Sequence, residues 1–515
     1  MKQLGGIDAS FLYMETPETP MHVAGLTLYQ LPDGFSGSFH DHFRDFFAGR
    51  VHLIPIFWKK LARTIFDLDH PGWVDAGDID LDYHIKSARL DAPGTFRQLE
   101  QVVEDLHSER LDRTRPLWQF TVIEGLADGR AALYSKVHHA AVDGGAGMVI
   151  TKALYDVTPV PREVEQAAPR PGTRKPSMEE RAILGLNDLA QNVVRQQLNM
   201  MQAVPQALAA ITDMLFPPQP SESQARAGGG PVIPSPRDAL APKSPFNVTI
   251  TRERSYAARS LSLSDAKLVA KATGTKLNDV VMAVCAGALR PWLKRHKALP
   301  RKPLIAFVPI SMREMGNTDI NNQVFGMSCP LATDIDDPLQ RLLAIRRTSG
   351  DSKSMAGSVK DVAPKDFTLI GAPLLLPGLM QVYGRLGLAD VIPQAVNVTI
   401  SNTQGPPFPL YCAGARVLAL YPVSIPIHGI GLNMTVQSYE DRLDFGLTAD
   451  RKAVPDITVM ADLLAPALDE LKQAVLARMP KPEPASAAAD LAPVQATSRS
   501  PAKPRKTSSR TRAAG

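Results

Sequence analysis

Two stretches of this 515-residue chain cannot contribute to a hydrophobic core, and they constrain the fold more than any other feature. DVTPVPREVEQAAPRPGTRKP (156–176) and PPQPSESQARAGGGPVIPSPRDALAPKSP (217–245) are dense in proline and poor in large apolar side chains. Proline lacks the backbone N–H that helices and sheets use, and too few apolar groups are present to offset the entropy of ordering. The chain is also too long for one ordinary core. It is expected to divide into an N-terminal domain over 1–155, a proline-rich linker over 156–245 and a C-terminal domain over 246–479. Residues 480–515, rich in Pro, Ala, Ser and Arg, read as a disordered tail.

Inside the linker, Ser177-Met-Glu-Glu180 has the pattern of a capping box. Apolar residues then recur in steps of three and four from Ile183 to Leu215, which predicts a long amphipathic helix with a candidate kink at Pro205. The flanking regions are mixed. MHVAGLTLYQL alternates like a strand, and FRQLEQVVEDLHSERL has helical spacing. PLWQFTVIEGL and RAALYSKVHH read as two strands joined by a turn at Asp128-Gly129. In the second region, DAKLVAKATG and LNDVVMAVCAGALRPWL predict helices. KPLIAFVPISMR, VNVTISNTQGP and GLNMTVQSYEDRLDFGLTAD predict strands, and ITVMADLLAPALDELKQAVLARM a closing helix. The expected class is α/β (α+β), with two similar-sized domains facing each other.

Composition narrows the function. Cys285, Cys329 and Cys412 are odd in number and far apart, which excludes a disulfide framework and a CxxC metal pair and fits a reducing compartment. The last seventeen residues carry six basic groups and no acid, more than the whole net charge of +5. The folded body thus makes no case for a nucleic-acid surface, and no nucleic-acid partner is expected. No long apolar run follows a basic start, so the N-terminus does not read as a secretory signal. The longest apolar stretch, LIGAPLLLPGLMQVYG, is broken by Pro373 and Pro377, and no membrane span is expected.

The chemistry concentrates in VHHAAVDGGAG, Val137 to Gly147. On a strand ending here, His139 shares a face with Leu133, Ser135 and Val137 and points towards an interior or cleft, while His138 falls on the other, polar face. A histidine at the end of a buried strand, on a glycine-rich corner that lets backbone approach a ligand, is well placed as a general base. The bland alternative is two structural histidines beside a turn in which Asp143 caps the next helix. Adjacent histidines on opposite strand faces cannot readily share one metal ion, and the motif supplies no third ligand. No GxSxG elbow is present for a Ser-His-Asp hydrolase. Asn278 stands where a helix begins and fits an N-cap, with Asp279 in its first turn. Trp118 reads as core.

His138-His139-Ala140-Ala141-Val142-Asp143-Gly144 resembles the HHxxxDG signature of the bacterial wax ester synthase/acyl-CoA:diacylglycerol acyltransferases. Asp8-Ala-Ser-Phe-Leu-Tyr13 with the following TPMH, Pro116-Leu117-Trp118, Asn278-Asp279, Pro309-Ile-Ser-Met-Arg313, Asn322-Gln323-Val324, NVTISNTQGP (397–406) and FGLTADR (445–451) resemble that family's other signatures, in order, over about residues 4–475. The resemblance implies two domains of the CoA-dependent acyltransferase fold, similar to chloramphenicol acetyltransferase and condensation domains, with the active site between them. It implies transfer of a long acyl chain from acyl-CoA to diacylglycerol or a long-chain alcohol, with no metal or bound cofactor.

By the same resemblance, His139 is the general base and His138 supports it. Asp143 organises the turn, with Arg313 a candidate partner, and Gly144 completes the motif. Asn278 and Asp279 support the active site. A cytoplasmic protein that meets a membrane or lipid-body surface peripherally, through the 177–216 helix and the basic tail, is the expected setting. Two other readings stay open: a related acyltransferase with a different acceptor, and a non-enzymatic lipid-body surface protein.

Overall fold

The computed structural model describes residues 2–62, 70–142, 144–165, 240–311, 324–359 and 372–478. The helix expected over 177–216 and the tail over 480–515 lie outside the described residues. Mixed α/β architecture holds throughout, in two halves that each surround a six-stranded sheet.

The N-terminal residues run as β1 (Lys2–Gln3), α1 (Gly6–Met14), β2 (His22–Gln30), α2 (Phe39–Ala48), β3 (Lys59–Ala62), β4 (Gly72–Asp75), β5 (Ile85–Arg89), α3 (Phe96–Ser108), β6 (Trp118–Glu124), β7 (Ala131–His138) and α4 (Gly144–Leu154). β6 and β7 form the expected antiparallel pair, and Gly129 in their turn takes φ 74°, a left-handed value that glycine adopts at little cost. The first core is aromatic. Phe39, Phe43 and Phe47 repeat every four residues along one face of α2, and they pack with Phe57, Trp118 and Phe120. Trp118 is core, as its sequence context predicts: it stacks on Phe57 with centroids 4.5 Å apart, and its Nε1 donates to the Phe57 carbonyl at 3.0 Å.

The second half continues through β8 (Arg254–Ser262), α5 (Leu263–Thr273), α6 (Leu277–Arg295), β9 (Ile305–Ser311), β10 (Val324–Pro330), α7 (Pro338–Val359), α8 (Ala372–Arg385), β11 (Val398–Thr403), β12 (Tyr411–Cys412), β13 (Ala415–Val423), β14 (Leu432–Tyr439), β15 (Arg442–Asp450), α9 (Ile457–Asp462) and α10 (Leu464–Leu476). Its axis is α6, apolar on all sides from Val280 to Leu289 and buried on all sides accordingly. α5 ends on Gly274 in the left-handed conformation, the C-cap its sequence predicts. The closing helix is two helices, broken at Leu463. The three cysteines are buried, and none is in a disulfide.

The sheets do not follow the sequence division at 246. The first sheet has the order β12-β13-β2-β7-β6-β5, so residues 411–423, far inside the second half, complete it beside β2. The second sheet has the order β10-β9-β11-β14-β15-β8. β13 lies close enough to β15 that a Cβ on Gly446 would stand 1.7 Å from the Pro422 carbonyl oxygen. Asp444 accepts from Leu420 N at 2.8 Å, and Tyr256 Oη donates to the Pro422 oxygen at 3.3 Å. Gly446→Ala must therefore push two sheets apart. It is expected to destabilise the protein by about 1–3 kcal/mol, read as a lower urea midpoint.

A second tie joins the halves. β8 is an edge strand, and its outward N–H groups at Tyr256 and Ala258 donate to Glu104 and Glu100 of α3, each at 3.0 Å. One helical turn between the two glutamates matches two residues of extended strand, about 6–7 Å in each case. Side chains thus close an edge that would otherwise recruit another strand.

Candidate active site

β7 ends at His138, and a short 3-10 turn, His139–Ala141, carries the chain towards α4. The strand lies inside its sheet, and every residue of it except Ser135 is buried. The alternation argument therefore fails for His138. It does not face a polar side; it is fully buried (0% exposed), because a strand covered on both faces has no polar side to offer. Its Nδ1 accepts from Ala140 N at 3.1 Å, and its Nε2 lies 3.1 Å from Glu15 Oε2. A ring nitrogen that accepts an N–H carries no proton, so the single proton sits on Nε2 and is donated to Glu15. Burial, outweighing the attraction of Glu15, lowers the His138 pKa in the same sense.

Glu15 is the first residue after α1. Burial alone would raise its pKa; the hydrogen bond and charge of His138, with the charge of Arg113, reverse that and lower it. Arg113 donates from Nε to Glu15 Oε1 at 3.0 Å and from an Nη to the Leu12 carbonyl at 2.7 Å. Met21 N donates to Glu15 Oε2 at 3.4 Å, and His139 N donates to the Met21 carbonyl at 2.8 Å. The N-terminal segment is thus folded over the histidine corner and bonded to it from both sides.

His139 is no longer on the strand, so strand alternation does not set its direction. It is half-buried, and Phe11 of α1 stacks on its ring with centroids 4.0 Å apart and planes 13° apart. Burial pushes its pKa down to about 4, which keeps it neutral at ordinary pH. Further neutral histidines lie below. His22 pairs with His138 across the strands, and its Nε2 donates to the His107 carbonyl at 3.0 Å. His107 donates from Nε2 to the Ser424 carbonyl at 2.9 Å and accepts from Tyr134 Oη at 2.8 Å. Burial holds His22 well below its ordinary range and takes His107 down to about 3. Lys136, whose Nζ donates to the Leu106 and Glu109 carbonyls, is lowered to about 8 by burial.

These depressed histidines carry a stability cost in acid. His84 and His139 titrate near 4 and His107 near 3 in the folded state, against 6.5 for an unperturbed histidine. Below pH 6.5 the unfolded chain takes up protons that the folded chain refuses, so stability falls as pH drops through the interval from 6.5 to about 4. Urea midpoints across this interval should decline steadily; a flat profile would mean these rings are not held neutral.

The second half supplies a separate group. Asn278 lies in the first turn of α6, but the N-cap is Lys276, not Asn278. Asp279 performs the capping: its Oδ2 accepts from Lys276 N at 3.0 Å, and its Oδ1 accepts from Ser349 Oγ of α7 at 2.8 Å. Asn278 Oδ1 accepts from Asn402 Nδ2 at 3.4 Å. Asn278, Pro309, Asn402, Gln404 and Gly405 line one cavity of about 520 Å³. Three motifs scattered over more than a hundred residues of sequence thus converge. The side-chain partners of Asn278 and Asp279 come from the second half, whereas those of His138 come from the N-terminal segment. Gly144 opens α4. Asp143 and Arg313 lie outside the described residues.

Glu15, Arg113 and Phe11 carry no mark of their roles in the sequence pattern, although Phe11 falls inside the DASFLY stretch. Among the described residues, no group of three or more His, Cys, Asp or Glu is arranged to hold a metal ion, and no helix is long and apolar enough to cross a membrane.

Comparison with known proteins agrees with this arrangement. Residues 4–281 match the family model for the wax ester synthase/diacylglycerol acyltransferase catalytic domain, and residues 320–472 match the model for the WS/DGAT C-terminal domain. A probable diacylglycerol O-acyltransferase of Mycobacterium tuberculosis is 35% identical over 473 residues, covering 91% of this chain and 98% of that protein. The O-acyltransferase WSD of Acinetobacter baylyi is 37% identical over 467 residues, covering 88% and 93%. The structure of the wax ester synthase/diacylglycerol acyltransferase from Marinobacter aquaeolei superposes with a TM-score of 0.65 at 30% identity, over 92% of this chain and all of that one. An HHxxxDG corner on a two-sheet α/β framework, matched by both family models and by relatives along nearly their whole length, makes this chain an acyltransferase that belongs to the wax ester synthase/diacylglycerol acyltransferase family.

Proposed function

We propose that this protein transfers a long-chain acyl group from acyl-CoA to the hydroxyl of diacylglycerol, of a long-chain alcohol, or of both, with His139 as general base. One observation carries the assignment of the base: His139 is a neutral, half-buried imidazole at a strand end, between the buried His138–Glu15 pair and the ring of Phe11. Neutral imidazole takes the proton from the acceptor hydroxyl as its oxygen attacks the thioester carbonyl. The tetrahedral intermediate expels the CoA sulfur, and the imidazolium returns the proton to it, giving ester and free CoA thiol. This route uses no covalent enzyme intermediate and no resident cofactor.

Asn278 and its cavity belong, in this reading, to the binding walls. Asp279 acts at one remove, by fixing the first turn of α6. Asp143 and Gly144 shape the corner, and Arg313 is the proposed partner of Asp143. The acceptors are insoluble in water, so the protein is proposed to work on the cytoplasmic side, against a membrane or lipid inclusion, by peripheral contact. Labelled palmitoyl-CoA supplied with hexadecanol or dipalmitoylglycerol, with products resolved by chromatography, tests the reading. Labelled wax ester or triacylglycerol is the expected product. Turnover of the thioester with neither ester formed would overturn the acceptor class.

A further inference from the structure

α1 turns two different side chains towards the histidine corner. Its buried stripe is Gly6, Ala9, Leu12 and Tyr13. With about 100° of rotation per residue, Phe11 falls on the opposite side of the helix from that stripe. What it covers there is the His139 ring, stacked on it with centroids 4.0 Å apart and planes 13° apart. Glu15 follows Phe11 by one helical turn, so the two project to the same side. Phe11 meets His139, and Glu15 takes the proton of the neighbouring His138.

Contacts that do not involve Phe11 hold the helix in place. Tyr13 Oη lies 2.6 Å from His70 Nδ1, and Arg113 donates to the Leu12 carbonyl at 2.7 Å. The backbone beneath the phenyl ring is thus tied down on both sides of the corner. A phenyl face carries partial negative charge, so it attracts a cation more strongly than it attracts a neutral ring. In the resting protein burial keeps the imidazole neutral, and the stack is ordinary packing. It changes character once the ring is protonated. A positive charge then sits over the phenyl face at 4.0 Å, inside the reach of about 6 Å for a cation–π interaction. A carboxylate in that place would hold the proton firmly; a phenyl face stabilises the charge more weakly, so the proton can still leave.

We propose that Phe11 is a positioning residue of acyl transfer: its ring sets the plane of the His139 imidazole and stabilises the positive charge that this imidazole carries during the reaction. The inference rests on His139 being the general base. The charge is transient. The ring gains the hydroxyl proton as the new C–O bond forms, and loses it to the CoA sulfur as the C–S bond breaks. An interaction made only while the ring is charged lowers the barrier without tightening substrate binding, so it shows in the rate of chemistry and not in KM. A packing role alone would show as lost stability, with the chemistry unmoved.

The test uses the full chain with Phe11 replaced by mono-, di- and trifluorinated phenylalanine. Fluorine drains negative charge from the ring face and barely alters the ring's shape. Single-turnover rates, with enzyme in excess over labelled palmitoyl-CoA and with hexadecanol or dipalmitoylglycerol as acceptor, are expected to fall stepwise along the series. The trifluorinated form should reach about a tenth of the wild-type rate, and Phe11→Leu should lose about as much. KM for palmitoyl-CoA and for the acceptor should stay unchanged, as should the urea midpoints of the fluorinated forms. In a His139→Ala background no imidazole can take the charge, so neither Phe11→Leu nor the trifluorinated ring should lower the residual rate further. A flat or rising series, a fall that tracks the urea midpoint, or an equal loss in the His139→Ala background would overturn the proposal and leave the stack as packing. A fully active His139→Ala protein would instead remove the general-base reading, and this inference with it.

Discussion

Replacing His139 by alanine should lower acyl transfer by about 10²–10⁴-fold, the usual cost of removing a general base. Stability should change little. His139 is half-buried, and the substitution takes away its stack on Phe11, an interaction of about 0.5–1.5 kcal/mol. Circular dichroism and urea melts separate the two effects. A second readout comes from pH. With the ring titrating at about 4 in the free protein, the acidic limb of kcat/KM should lie well below the ordinary histidine value of 6.5. A limb near 6.5 in a fully folded enzyme would show that another group is the base, or that the ring is not desolvated. A variant retaining more than a tenth of wild-type turnover would remove His139 from the chemistry.

Glu15→Ala should do the opposite: a large loss of stability, with activity falling because the corner loses its shape. The carboxylate takes the His138 proton, a guanidinium bond from Arg113 and the Met21 N–H, and its side chain is 1% exposed. Removing it leaves the buried His138 N–H without an acceptor and leaves the partly buried Arg113 cation with only the Leu12 carbonyl among the described residues. Leaving a buried donor unsatisfied in this way costs about 1–3 kcal/mol, and the loss of the Arg113 hydrogen bond adds to it. Glu15→Gln keeps one acceptor oxygen for His138 but turns an amide NH₂ towards donors, so an intermediate loss is expected. His138→Ala should resemble Glu15→Ala in the melt, and this distinguishes it from His139→Ala, which should not. If the Glu15→Ala melt matches wild type, the network does not hold the corner.

Local signals are legible in this chain. The β6–β7 hairpin is written in Asp128-Gly129, and α6 in an unbroken apolar run that ends in basic residues. Features that depend on distant partners are not. β13 pairs with β2 across nearly four hundred residues, and nothing in its own pattern says which sheet receives it. Glu15 meets His138 and Arg113 at separations of 123 and 98 residues, and no periodicity marks such a triad. Alternation puts His138 on a polar face only if the strand has one wet side; in an interior strand both sides are dry. The start of α6 falls two residues before the position its sequence suggests, because Asp279 can cap from inside the first turn as well as Asn278 could from outside.

The placement of β13 also sets a schedule for synthesis. β2 and β7 leave the ribosome early, but the strand that covers the free edge of β2 ends at Val423. About 285 further residues must follow His138 before it exists, and at about 5–20 residues per second this takes roughly 15–60 s. Through that interval the nascent sheet presents an unpaired edge in a crowded cell, next to the chains of neighbouring ribosomes on the same message. How long this protein is exposed to mispairing is therefore decided by the order of its gene, before the strength of any contact in the finished fold comes into play.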